Sequence, residues 1–333
     1  MNKGYKYGRN IRLVLETDDQ VFDLSNFRIT FQVVHGSTTT PKVLRCRIYN
    51  LSHGGRGTKN TIAAIQESKE KTIALSTWYN GQSPALLFSG LVRQVYAGRE
   101  SPLNTYLDIG AAVLEKEIAT GGVSSFIQAG WTHEDILKQG LAPNNIKAGE
   151  LPATQGQGVR PKILYGNCRA IIREMARNLQ AIPIIDDNGQ LNFIKVGNLA
   201  QPKGEAIHLS PNNGLIGTPI QVPEGIQVTA LLDPRFVIGQ ELDIYSANAS
   251  DSHTAIQQED IELNFSGVNR GNLTYNSDGT SNVRGLSHTG RYRILFADHT
   301  GDTRGTTWYS TIVGQAVDPS DQSIYTSRGI SAQ

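Results

Sequence analysis

Residues Val43-Leu44-Arg45-Cys46-Arg47-Ile48-Tyr49 put Leu44, Cys46 and Ile48 on one face and Arg45 and Arg47 on the other. A period of two is that of a β-strand with one buried and one wet face. The same short-strand texture recurs at 11–16, 27–34, 72–78, 85–96 and 105–110, and again at 206–209, 226–232, 241–246, 291–298 and 306–317. Thirty-four Gly and 13 Pro supply turns between such runs, whereas only two Met are present. This composition resembles a β-rich protein more than a helical one and predicts an α+β, β-dominated chain. Asn60 before Thr61-Ile62-Ala63-Ala64-Ile65 predicts one short capped helix crossing the first strands.

The texture changes near residue 112. Thr132 is an expected N-cap for His133-Glu134-Asp135-Ile136-Leu137-Lys138, with acids in the first turn, Lys138 in the last and Gly140 as the stop. After a loop at 152–158, Asn167 caps a helix in which Cys168, Ile171, Ile172, Met175 and Leu179 recur at helical spacing while Arg173, Glu174, Arg177 and Asn178 face away. Residues 181–185 and 190–194 flank Asp186-Asp187-Asn188-Gly189, a hairpin signature. The expected organisation is therefore a first β unit at 1–111, an α/β module at 112–205, and a second β unit made of 206–255 and 286–318. A loop-rich insertion at 256–285 and a tail at 319–333 complete it, with the Gly-, Asn- and Ser-crowded stretch 267–290 as a long loop.

A chain of 333 residues can bury sizeable cores, and its net charge of +1 lacks the basic excess of a dedicated nucleic-acid or membrane-surface binder. No stretch approaches the roughly 18 apolar residues of a membrane span, and no apolar run follows Lys3, Lys6 and Arg9, so neither membrane anchor nor signal peptide is expected. Cys46 and Cys168 are too few for a disulfide framework and read as buried small hydrophobes in a reducing, cytoplasm-like compartment. The sequons at Asn50 and Asn272 then carry no meaning.

Catalytic patterns fail one by one. His133-Glu134 begins like a zinc-protease helix, but Leu137 stands where the second His must be. Asp186 to Gly189 lacks the spaced ligands and following Glu of a calcium loop. Asp298-His299 with Asp302 shows no orienting partner or pocket for general-base work. No nucleophile elbow, phosphate loop or dinucleotide fingerprint is present, so no catalytic, cofactor-binding or metal-binding residue is assigned.

Six passages, in order from residue 44 to 308, carry a resemblance. They are Leu44-Arg45-Cys46-Arg47-Ile48-Tyr49-Asn50-Leu51-Ser52; Gly90-Leu91-Val92-Arg93 leading to Gly98-Arg99-Glu100; and Gly130-Trp131-Thr132-His133-Glu134-Asp135-Ile136-Leu137. The others are Leu209-Ser210 with Gly214-Leu215-Ile216-Gly217-Thr218-Pro219; Leu231-Leu232-Asp233-Pro234 with Ile238-Gly239-Gln240; and His299-Thr300-Gly301-Asp302-Thr303-Arg304-Gly305 with Trp308. Together they resemble the baseplate hub proteins of tailed bacteriophages, particularly those with contractile tails.

The resemblance implies two related small β-barrels that build a ring, plus an inserted α/β module. It implies a homotrimer joining the sixfold tail tube to a threefold central spike and enclosing the channel through which DNA passes without specific binding. Partners would be tube or tube-initiator, spike and baseplate-wedge proteins, with the chain in the host cytoplasm during assembly and then in the virion tail. Asp233, Pro234 and Gly239 would close the turn into the next barrel strand, and Asp302, Arg304 and Gly305 a tight turn before the Trp308 strand. Nothing after Val317 resembles an appended hydrolase domain, so no cofactor and no enzyme activity are expected. Two other classes stay open: a tail-associated cell-wall hydrolase, and a carbohydrate- or receptor-binding β-protein, whose usual aromatic platforms are poorly supported by Trp78, Trp131 and Trp308, scattered along the chain.

Overall fold

A computed structural model describes residues 6–36, 42–52, 61–152, 158–185, 190–195, 206–222, 225–244, 257–258 and 290–316. The first unit holds β1 (Arg9–Thr17), β2 (Val21–Asp23), β3 (Ile29–His35), β4 (Val43–Tyr49), α1 (Thr61–Glu67), β5 (Lys71–Tyr79), β6 (Ala85–Arg99) and β7 (Thr105–Ala112). Its strands lie side by side in the order β3-β4-β7-β6-β5-β1-β2, all antiparallel. The alternation of residues 43–49 is realised: Leu44, Cys46 and Ile48 are buried and Arg45 is exposed. Asn50 ends β4 in the left-handed region at φ 57, its Oδ1 accepting the Thr105 backbone N–H at 3.0 Å. Helix α1 buries Ile62 and Ile65, while Asn60 lies outside the described residues.

The module holds α2 (Glu115–Thr120), β8 (Gly122–Ile127), α3 (His133–Ile136), β9 (Lys147–Ala148), β10 (Lys162–Asn167), α4 (Cys168–Leu179), β11 (Ala181–Ile185) and β12 (Gln190–Lys195). Thr132 and Asp135 form a capping box at the start of α3. The stop expected at Gly140 does not occur: the chain continues as a π-helical stretch, Leu137–Leu141, and a 3-10 turn, Ala142–Asn144. Gly140 is a packing glycine, since a Cβ there would lie 2.7 Å from Leu164, and the left-handed residue that ends the run is Asn145 at φ 61. Asn167 caps α4 by accepting the Ala170 N–H at 2.8 Å, and the five apolar positions of that helix are all buried. They pack on β11, which pairs antiparallel with β12; the connecting turn at 186–189 lies outside the described residues.

The last unit holds β13 (Ile207–Leu209), β14 (Leu215–Val222), β15 (Gly225–Leu231), β16 (Glu241–Ile244), β17 (Gln257–Gln258), β18 (Gly290–Asp302) and β19 (Trp308–Ala316). Strand β14 has no clean period in sequence, because Gly217 at φ 69 and Pro219 occupy an irregularity between Ile216 and Ile220. Order runs β17-β14-β15-β19-β18, with β16 pairing β18 and β13 pairing β16. Strand β18 then pairs with β3, so both β units belong to one 14-stranded sheet. The β-dominated class expected from sequence holds. Among the described residues the sheet path ends at β2 and at β17, and no sheet closes into a barrel. Apart from β17 and Gly290, the insertion at 256–285, the loop at 267–290 and the tail at 319–333 lie outside the described residues.

Burial falls into two clusters. One runs from Leu13 through the first unit and the module to Phe193, taking in Leu232 and Trp308; the other, around Val228, Phe236, Tyr292 and Ile312, fills the last unit. Cys46 and Cys168 are free and buried. No described helix is long and apolar enough to cross a membrane.

Candidate functional site

The feature that organises both units is the antiparallel seam between β3 and β18, in register from Ala297↔His35 to Asp302↔Thr30. Its two faces differ, as the strand period demands. On the inner face lie Phe31, Val33 and His35 from one strand and Ala297, His299 and Gly301 from the other, all buried. On the wet face the Gln32 amide donates to Asp298 Oδ2 at 2.8 Å.

At one end of the seam, the turn following β18 is tied to the first unit. Arg28 donates to Asp302 through Nη2 at 2.8 Å and Nε at 3.4 Å, and Ile29 N–H donates to Thr303 Oγ1 at 2.9 Å. The Arg304 N–H donates to Asp302 Oδ1 at 2.9 Å, and the Arg9 guanidinium reaches the Gly305 carbonyl. Gly305 has little alternative: a Cβ would sit 2.5 Å from the Asp302 carboxylate. Partial burial alone would raise the Asp302 carboxyl, but Arg28 and the Arg304 and Gly305 N–H groups outweigh it and hold the pKa below the usual carboxylate value.

A buried polar knot lies behind the inner face. His299 Nδ1 and Ser310 Oγ are 2.7 Å apart, and the Asp233 N–H donates to the same hydroxyl at 3.3 Å. The Asp233 carboxylate accepts from Arg235 and pairs with Lys6 at 3.0 Å, tying the N-terminal segment to the last unit. Burial opposes the Asp233 charge, yet Arg235 and Lys6 prevail and bring its pKa down to about 2. Burial, then the Lys42 charge, pushes both His35 and His299 down to about 3. Both imidazoles are therefore neutral at neutral pH.

Ser310, His299 and Asp233 have the residue types of a hydrolytic triad but not its geometry. Ser310 is 0% and His299 2% exposed, so the hydroxyl cannot meet a substrate, and the Asp233 carboxylate is committed to Arg235 and Lys6. Among the described residues no three His, Cys, Asp or Glu side chains group as metal ligands. Leu137, where a second metal-binding His would stand, is fully buried.

The two sets of turn residues singled out in the sequence fall on this frame. Asp302, Arg304 and Gly305 form the turn at the end of the seam. Asp233 and Pro234 open a turn closed by the Phe236 N–H donating to the Asp233 carbonyl at 3.2 Å, and Gly239 N–H donates to the Ile294 carbonyl at 2.9 Å. Gly239 stands at φ 86, where a Cβ would lie 2.1 Å from Ile194 of the module. Sequence reasoning does not find Lys6, Arg28, His35 and Lys42. Their neighbours lie up to 274 positions away, and only the tertiary fold brings them together.

No family model and no curated protein matches the sequence. Solved structures do. The chain superposes on a 43 kDa tail protein of prophage MuSo2 from Shewanella oneidensis with TM-score 0.56 at 9% identity, over 94% of this chain and 100% of that one. A tail protein from Neisseria meningitidis MC58 gives 0.55 at 10% identity, over 92% and 97%. The Escherichia coli c3393 protein gives 0.52 at 8% identity, over 93% and 78%; it is a type VI secretion component described as similar to the T4 phage tail proteins gp27 and gp5. The chain thus has the fold of phage tail proteins.

Proposed function

We propose that this chain is a structural protein of a phage tail baseplate: a homotrimeric hub between a sixfold tail tube and a threefold spike, enclosing the DNA channel and without catalysis of its own. The observation that carries the reading is the seam. Strands β3 and β18 set two β units side by side in one sheet, within one chain. Three such chains present six β units, so a trimer can meet a sixfold ring on one side and remain threefold on the other. The near full-length likeness to tail proteins supports the same reading.

In this account the two β units are the barrel-like ring segments, the α/β module lies between them in sequence, and both turns hold the angle between units. Partners are the tube or its initiator, the spike and other baseplate proteins. The chain assembles in the host cytoplasm and resides in the virion tail. Native mass spectrometry with the tail partners, and cryo-electron microscopy of the particle, test it. Three copies per tail are expected; a stable hexamer of this chain, its absence from tails, or sustained peptidoglycan turnover by the purified chain would overturn it.

A further inference from the structure

The wet face of the first unit is not flat. Strand β7 lies between β4 and β6, and the residues it turns toward that face are Asp108, Gly110 and Ala112, in register with Arg47, Arg45 and Val43 on one side. On the other side Tyr96 faces Asp108 and Gln94 faces Gly110. A strand of small residues between two strands of long ones makes a trough, and an open groove of about 780 Å³ lies there. The β6–β7 register shifts between Val92 and Gln94, so Arg93 is the extra residue of a bulge, a device that re-aims a side chain.

The charges in this groove are unequal in their commitments. Arg47 is neutralised by Asp108 at 2.7 Å and stacks 3.9 Å from the Tyr106 ring. Arg45 and Arg93 are exposed, line the groove, and have no hydrogen-bond or ion-pair partner among the described residues. Gln94 and the 59%-exposed Tyr96 add neutral donors around them. Arginine with amide and phenol donors is the set that contacts phosphate and sugar in sequence-independent fashion. An acidic protein segment would meet the same guanidinium groups, and competition with poly-glutamate separates the two occupants.

We propose that this groove is a contact site for the phosphate backbone of duplex DNA, with Arg45 and Arg93 as its charged groups. The inference rests on the hub reading for the source of the phosphates. Strands β4 and β6 run about 10 Å apart, two inter-strand spacings, and each DNA strand carries a phosphate every ~3.4 Å of the axis, so phosphates recur along a backbone laid over both guanidinium groups. Contact with no base readout suits a duplex that must move past the surface rather than stop on it.

The test is fluorescence anisotropy of a labelled 20-base-pair duplex with the full chain, titrated at several salt concentrations. Two phosphate contacts contribute about 1.8 to the slope of log K against log salt, or roughly tenfold in affinity between 50 and 200 mM. Arg45→Gln/Arg93→Gln is expected to lose that slope, while Arg12→Gln/Arg160→Gln, an equal charge change on exposed residues outside the groove, keeps it. Gly110→Leu fills the trough without changing charge; a Cβ there meets nothing nearer than Gln94 Cβ at 3.6 Å, and with its fold checked by circular dichroism the variant is expected to weaken binding as well. An unchanged slope in the groove variant, or displacement of the duplex by poly-glutamate at equal charge concentration, overturns the proposal. Location of the chain in tails with an unchanged slope overturns this inference alone; a lost slope in a chain absent from tails overturns the hub reading alone.

Discussion

Arg28 holds Asp302 by two hydrogen bonds across 274 positions of sequence, closing one end of the seam between β3 and β18. The pair is partly exposed on the arginine side, so its direct Coulombic contribution is small. What Asp302 adds beyond the pair is local: it accepts the Arg304 N–H and lies over Gly305.

Replacing Asp302 with Ala therefore removes the partner of Arg28 and the acceptor of the solvent-exposed Arg304 N–H, and a loss of about 0.5 to 1.5 kcal/mol is expected. Arg304→Ala is expected to cost less, since its side chain makes only a 3.4 Å bond to the Asn26 carbonyl. Urea midpoints of the two single variants and the double variant measure the difference. An unshifted midpoint for Asp302→Ala would show that the turn is not held by this carboxylate.

Met175→Asp tests the module. Met175 is 1% exposed on the α4 face that packs on β11, so the substitution buries a carboxylate with no partner. Desolvation then exceeds any local gain, and the module is expected to lose its packing or the chain its solubility. Hydrogen exchange across residues 165–185 reads the outcome; native protection there would refute the packing.

Acid is expected to loosen the seam before it unfolds the carboxylate networks. His35 and His299 hold folded-state values near 3 against an ordinary 6.5, because both are buried and both face the Lys42 charge. Ser310 and the Asp233 carboxylate, committed to Lys6 and Arg235, complete the groups around them. Below about pH 6.5 the unfolded chain binds protons that the folded chain refuses. The stabilisation is thus whole above that pH and is lost as pH falls toward 3; only below about 3.8 does Asp233 add to the loss. Thermal melts from pH 8 to 4 are expected to show Tm falling through this window. His35→Gln/His299→Gln, less stable at pH 8, is expected to show a shallower fall, and an equally steep one would place the effect elsewhere.

Much of this frame is legible in the amino-acid sequence. The period of residues 43–49 becomes a strand with its buried face where expected, and the Asn167 helix buries all five of its apolar positions, because one-dimensional periodicity is set by burial. Gly140 misleads because a glycine near a helix end has two causes, a left-handed cap and close packing, and only Leu164 in space decides between them. Strand β14 escapes a periodicity argument where Gly217 and Pro219 break its alternation. The seam leaves no local trace. His35 and His299 are unremarkable in sequence, and their burial beside Lys42 follows from a pairing between strands more than 250 residues apart. The groove lies between these cases: Arg45 and Arg47 on a wet face are visible in the alternation, but the trough needs Gly110 to lie between them and Gln94.

Gly301 is the position where the seam tolerates least change. It faces Phe31 across β3 and Trp308 across β19, and those rings meet edge to face over it, 5.5 Å between centroids at 85°. A Cβ at residue 301 would stand 2.4 Å from Phe31 Cζ and 3.0 Å from Trp308 Cε3, so one ring must move. Both rings are nearly fully buried, Phe31 at 5% and Trp308 at 4%, and close-packed surroundings leave no cheap direction of retreat. Gly301→Ala is therefore expected to cost about 1 to 3 kcal/mol by overpacking, and Gly301→Val more. Trp308 is also the local reporter: in a Trp78→Phe/Trp131→Phe background its emission is expected to shift to the red in Gly301→Ala as the seam opens to water. A variant with wild-type stability and unshifted emission would show that the two units are not held together through this contact.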